Sequence, residues 1–170
     1  MSSTVPVAHD YQHNLRMQQY KTFAFFEDIE SCRDPYTSKI IESSIAERLT
    51  MLGLDYNATS PDLIVAYSIH ENKMILKSYK HPLHPKEYCF KEHVHPLCQQ
   101  TMYRLKEGTI MVQLIEQSTM KSVWRGFSIS DFNQQILNDE RLLEYATIRI
   151  IEQCRIFTNP SYESMHLATN

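Results

Sequence analysis

Glycine is scarce in this chain. Only Gly53, Gly108 and Gly126 occur in 170 residues, and they stand far apart. A phosphate cradle or a dinucleotide fingerprint needs several glycines together so that backbone can approach an anion. Both are excluded. Apolar runs are short too, and none approaches the roughly 20 residues of a membrane-spanning helix. Positive charge is limited: 17 Lys and Arg stand against 20 Asp and Glu, for a net charge of −3. No broad basic field is available to neutralise phosphates, so nucleic acid is not an expected partner. Four cysteines do not make a disulfide scaffold at this length. There is no G-x-S-x-G and no H-E-x-x-H, and the His-Glu pair at His70 lacks a second histidine four residues on. No catalytic residue and no cofactor are assigned, and the chain reads as non-enzymatic. An unrecognised hydrolase is the weakest alternative, because no set of nucleophile, base and orienting group can be assembled.

What is present is a globular composition, 42% hydrophobic and 22% charged. "YKTFAFFE", Tyr20 to Glu27, is dense in aromatic and β-prone residues and predicts a strand, with a weaker one before it near Val5–Tyr11. Ile41, Ile45, Leu49 and Leu52 recur at helical spacing, so a helix is expected from Pro35 or Tyr36 to Leu52, stopped by Gly53. "LDYNATSPD" is read as a turn. "DLIVAYSIHEN" alternates, with Leu63, Val65, Tyr67 and Ile69 on the expected core face. After Met74 the pattern dissolves until about Met102. Thr109–Glu116 and Ser122–Ile129 then predict a hairpin across "QSTMK". A last helix is expected over about Asp139–Phe157, with an apolar stripe of Leu143, Ala146, Ile150, Ile151, Cys154 and Phe157. Cys154 is thus expected as a buried thiol.

Two amphipathic helices need an apolar surface, and the strands supply one. The expected fold class is therefore α+β: a two-layer sandwich with a mostly antiparallel sheet of about 4–6 strands and two main helices on one face. One domain is expected over 1–157, with a variable loop at 75–102, followed by a flexible tail at 158–170. Trp124 and Arg125 are neighbours on a strand and point to opposite faces, so one packs and the other pairs or caps. The aromatic residues Tyr20, Phe23, Phe25 and Phe26 are read as core and sheet surface.

Three segments carry a resemblance to a known family. "YKTFAFFE" is similar to the "YKTYAW" strand of the domain-of-unknown-function 4136 family. "SPDLIVAYSIH" is similar to its "DPDLLVAYHV", and "YRLKEGTIMVQLIEQSTMKSVWRG" to its "YREGTLVIDLVDAKTGKLVWRG" hairpin. The likeness spans roughly Val5 to Phe157, and Val123–Gly126 is its most specific piece. The resemblance implies a bacterial cell-envelope protein, often a lipoprotein, and no catalytic residues to carry over. The start, "MSSTVPVAHDYQ", lacks the basic and apolar regions of a secretory signal. "MSST" would follow if a start Met replaced the lipidated Cys of a Cys-Ser-Ser lipoprotein. The expected address is then the periplasm-facing envelope, lipid-anchored, and otherwise the cytoplasm. The expected partner is an envelope protein or ligand, with membrane contact only through that anchor.

One stretch departs from the family pattern. "HPLHPKEYCFKEHVHPLC" holds His81, His84, Cys89, His93, His95 and Cys98 where many members have a Gly- and Tyr-rich segment. Imidazole and thiolate suit zinc or copper, and His93 and His95 alternate on an extended segment. The spacing H-x2-H-x4-C-x3-H-x-H-x2-C matches no zinc-finger pattern, so a metal-binding module is the alternative function and no metal ligand is assigned. A Cys89–Cys98 disulfide is a second reading, contributing roughly 2–3 kcal/mol on a chain-entropy estimate. The third is a surface loop, stiffened by Pro82, Pro85 and Pro96 and available to touch a partner.

Overall fold

The structure is a computed structural model that describes residues 7–10, 20–26, 34–80, 89–90, 93–94, 99–131 and 133–154. Its strands are β1 (Val7–Asp10), β2 (Thr22–Phe25), β3 (Asp55–Tyr56), β4 (Leu63–His70), β5 (Met74–Lys80), β6 (Cys89–Phe90), β7 (His93–Val94), β8 (Gln99–Leu105), β9 (Thr109–Glu116) and β10 (Lys121–Ser128). Its helices are α1 (Pro35–Met51), α2 (Asn133–Leu137) and α3 (Glu140–Glu152). Six strands form the main sheet in the order β1-β10-β9-β4-β2-β3, while β5 pairs with β8 and β6 with β7. The fold is α+β, with α1 and α3 over one face of the sheet.

Local chemistry sets the helix ends. Asp34 caps α1: its carboxylate accepts from the Thr37 N–H at 2.8 Å and the Thr37 hydroxyl at 2.7 Å, and Pro35 fits the first turn. At the other end Gly53 adopts φ +93°, its N–H bonds the Thr50 carbonyl, and the Leu54 N–H bonds the Leu49 carbonyl. This pair of bonds closes the helix in a left-handed turn and tucks Leu54 into the core beside Leu49. Asp139 caps α3 by accepting from the Leu142 N–H at 3.1 Å. α3 ends at Glu152, earlier than the periodicity predicts. Cys154, just beyond it, is buried, and Phe157 lies outside the described residues.

The β2–α1–β4 unit makes β2 and β4 parallel neighbours, and every other long pairing is antiparallel. The segment read as a turn after Leu54 contains β3, two residues that pair parallel with Thr22 and Phe23. Asp62 ties the crossover down. Its carboxylate accepts from the backbone N–H groups of Lys21 at 2.8 Å and Thr22 at 3.0 Å, and the Thr22 hydroxyl accepts the Asp62 N–H. Those bonds, the Lys21 N–H first, hold the carboxyl below its ordinary range.

The core lies between helices and sheet. Phe23, Leu63, Val65, Val112 and Leu114 meet Ile41, Ile45, Leu143 and Ile150 there. Trp124 is fully buried among them, and its ring crosses the backbone of Gly126. A Cβ at that glycine would stand 2.3 Å from Trp124 Cη2 and 3.0 Å from Ile150 Cγ2. The Trp-x-Gly pattern is therefore a packing unit: the indole occupies the space a side chain two residues on would need. A bulge at Val123 sets this register against β9. Arg125 lies on the opposite face of β10, in register with Asp10 of β1 and Gln113 of β9.

Candidate interaction surface on the two-stranded arm

The stretch after Met74, where the sequence pattern dissolves, contains two seven-residue strands. β5 and β8 form an antiparallel arm with every residue paired, Met74↔Leu105 through Lys80↔Gln99. The arm continues the ladder of the main sheet. β4 and β9 pair from Leu63↔Glu116 to His70↔Thr109, and three residues on each side then separate that last pair from Met74↔Leu105. The interruption is equal on both strands, so the register carries through and each side chain keeps its face.

The break is a built hinge. Gly108, at φ +79°, donates its N–H to the His70 carbonyl at 2.7 Å. A Cβ there would lie 3.0 Å from Asn133 Cβ and 3.2 Å from Leu137 Cδ1, so α2 sits directly on the turn. Buried Asn133 fastens it. Its amide nitrogen donates to Thr109 Oγ1 at 3.1 Å and to the Glu107 carbonyl at 3.4 Å, and its oxygen accepts from Ser128 Oγ at 3.3 Å. Ser128 Oγ also accepts the Ile110 N–H at 3.1 Å, and Thr109 Oγ1 donates to the Lys106 carbonyl at 2.7 Å. Thr109 and Ser128 are buried as well, so the network meets its own hydrogen-bonding demand away from water. Lys106 and Asp131 add an exposed ion pair. The other strand of the hinge is less well served. His70 Nε2 is buried with no hydrogen-bond partner, and burial pushes the imidazole below its ordinary value of 6.5.

The two faces of the arm differ. Leu76, Tyr103 and Leu105 turn inward and pack on Met111 and Phe127, which stand on the sheet face opposite the helices. The Tyr103 and Phe127 rings meet edge to face at 5.0 Å. The outward face carries Ile75 paired with Arg104 and Met102 paired with Lys77. Ile75 is 58% exposed and Met102 59%. Both cations are exposed, and among the described residues neither is in an ion pair.

Of the His/Cys stretch, Cys89 and His93 lie in the short β6–β7 ladder, Cys89 opposite Val94 and Phe90 opposite His93. His81, His84, His95 and Cys98 lie outside the described residues, as does the Cys89–Cys98 pairing. The tail at 158–170 and the beginning of the chain before Val7 lie outside them as well. Among the described residues no three His, Cys, Asp or Glu side chains gather in a metal-holding group. No described helix is long and apolar enough to cross a membrane.

The aromatic residues of β2 behave as packing groups. Phe23 is buried and meets Tyr56 at 5.7 Å, and Phe25 meets Tyr67 at 6.3 Å, both near perpendicular. The Tyr67 hydroxyl donates to Glu42 at 2.5 Å and the Tyr20 hydroxyl to Glu116 at 2.7 Å. These rings fill the space between themselves. Ile75, Lys77, Met102 and Arg104 were not singled out from sequence. The signal that finds them is the equal distance of "MILKSYK" and "QQTMYRL" from the well-patterned strands on either side.

The sequence matches no curated protein. Among solved structures, a DUF4136 family protein from Bacteroides thetaiotaomicron VPI-5482 is 13% identical, with a TM-score of 0.61 over 92% of this chain and 99% of its own. A PelC dodecamer from Paraburkholderia phytofirmans is 12% identical, with a TM-score of 0.50 over 90% of this chain and 98% of its own. A PDZ domain protein from Parabacteroides distasonis ATCC 8503 is 13% identical, with a TM-score of 0.49 over 89% of this chain and 35% of its own. Identities this low speak to the fold alone. The family model described as Domain of unknown function (DUF4136) matches residues 7–153, and the chain belongs to that family.

Proposed function

We propose that this domain is a non-enzymatic binding or structural module of a bacterial cell-envelope lipoprotein, and that the arm is its contact surface. The observation that carries the contact surface is the outward face of β5 and β8. Folded chains normally bury Ile and Met on a ribbon that packs against a core. Here two of them face water on a ribbon whose hinge is fastened by the buried, hydrogen-bonded Asn133, Thr109 and Ser128. Ile75 and Met102 are diagonal neighbours across the two strands, so they form one apolar contact rather than two scattered residues, and contiguous exposed apolar surface is the kind that marks a contact site. The envelope address is supported by the family resemblance and by the bacterial source of the relatives.

A photo-reactive residue at position 75 or 102 tests the reading in cells carrying the full chain. The expected result is recovery in the envelope fraction, with cross-links from the arm positions and none from a control at Glu47 on the exposed side of α1. Recovery of the chain in the cytosol would overturn the address. Equal cross-linking from position 47 would overturn the arm as the contact surface.

A further inference from the structure

The outward face of the arm is small and carries charge of one sign. Seven residues at about 3.3 Å each and two strands about 4.8 Å apart give a face on the order of 200 Å². A specific protein interface needs about 800 Å² from each partner. A second copy of this chain is a poor occupant for another reason. Face to face, two arms would crowd Lys77 and Arg104 of both copies around one apolar contact. The arrangement instead suits a surface that is negative, laterally extended and apolar just below its charge. The stems of Lys and Arg reach sideways to anionic groups while Ile75 and Met102 point into the apolar layer.

We propose that the outward face of the arm, Ile75 and Met102 set between Lys77 and Arg104, rests on an anionic lipid surface. This deepens the envelope reading above and rests on it. The contact is weak on its own, and it orients a domain that something else holds near the membrane. The net charge of −3 makes the local arrangement matter: the chain as a whole is not drawn to an anionic bilayer, whereas this face is.

Flotation of the whole chain with vesicles tests the proposal. At about 0.01 M salt, where screening extends to about 30 Å, the chain is expected to float with phosphatidylethanolamine–phosphatidylglycerol vesicles and to stay behind with phosphatidylcholine alone. Each cation near an anionic surface contributes about fivefold in partition. The double variant Lys77→Gln/Arg104→Gln should therefore lose about 25-fold, and Ile75→Ser/Met102→Ser should lose several-fold. Lys39→Gln/Lys121→Gln, at exposed positions elsewhere, should change little. All three variants alter exposed residues, and an unchanged unfolding midpoint confirms the fold. Absence of flotation with the anionic vesicles would overturn the proposal. So would equal flotation with phosphatidylcholine, or an unaffected Lys77→Gln/Arg104→Gln variant. Retention on polyglutamate with no vesicle binding would overturn it in favour of an acidic protein partner. Failure with vesicles leaves the cross-linking result standing, and failure of the cross-linking leaves vesicle binding measurable.

Discussion

The main sheet and the arm are two halves of one ladder, and they are stabilised in different ways. In the sheet, β4 and β9 are flanked by other strands and covered by α1 and α3. Their helix-side residues Val65, Val112 and Leu114 are fully buried. In the arm, β5 and β8 have only each other for pairing among the described residues, and only the inner face packs. An isolated two-stranded ribbon is marginal in water. The arm must draw its stability from Leu76, Tyr103 and Leu105 on the sheet and from the Asn133 network at the hinge. The same pairing rule thus yields a core element or a borrowed one, depending on what lies above and below.

The strongest way to break the sheet is to fill the space that Trp124 uses. Gly126→Ala places a methyl against the indole, and overpacking of this kind costs about 1–3 kcal/mol or more. At about 2–4 °C per kcal/mol for a domain of this size, the midpoint should fall by several degrees, with the arm and sheet lost together. Calorimetry checks this. Asn133→Ala attacks the hinge instead. It leaves Thr109 and Ser128 buried with unmet hydrogen bonds, at about 1–3 kcal/mol, and should release amide-exchange protection in β5 and β8 before β4 and β9. Equal loss in both halves would mean that the hinge does not separate them.

A subtler probe uses pH. The folded state holds the His70 imidazole below 6.5, so the unfolded chain binds that proton more readily. Stability should fall as pH drops through about 6.5 and level off below the lowered folded value. His70→Gln should flatten that part of the profile. Asp62 acts at more acidic pH. Its contribution is present above the unfolded carboxyl value and is lost as pH falls through its lowered folded value, and Asp62→Asn should remove that loss. The smallest expected effect on stability is that of Ile75→Ser/Met102→Ser. Exposed substitutions usually change it by within about 0.5 kcal/mol, and denaturant unfolding should show no shift. A large shift would show that this face is buried in the working state of the protein.

What could be read in the sequence follows the same division. α1 and β4 each turn one apolar face to the core between helices and sheet, so their periods appear plainly in Ile41, Ile45 and Leu49 or in Leu63, Val65 and Tyr67. The Trp124 and Arg125 alternation was equally readable. The arm hides because its faces break the rule. Ile75 and Met102 sit on the outward side, where polar residues are usual, and Thr101 falls on the inward register, where apolar ones are usual. β3 is invisible because two residues carry no period. α2 is invisible because five residues, Asn133–Leu137, span little more than a turn, and the key one is a polar Asn buried for its hydrogen bonds. The candidate surface therefore lay where patterning is weakest.

The equal interruption at the hinge has a consequence for how this fold can change length. Three residues on each side, 71–73 and 106–108, keep the two strands in step. A single insertion or deletion in one of them would rotate half of the arm by one position. Ile75 would then exchange faces with Leu76, or Met102 with Tyr103, according to which strand was changed. Changes in length near the hinge are therefore tolerable only in matched pairs, one on each strand.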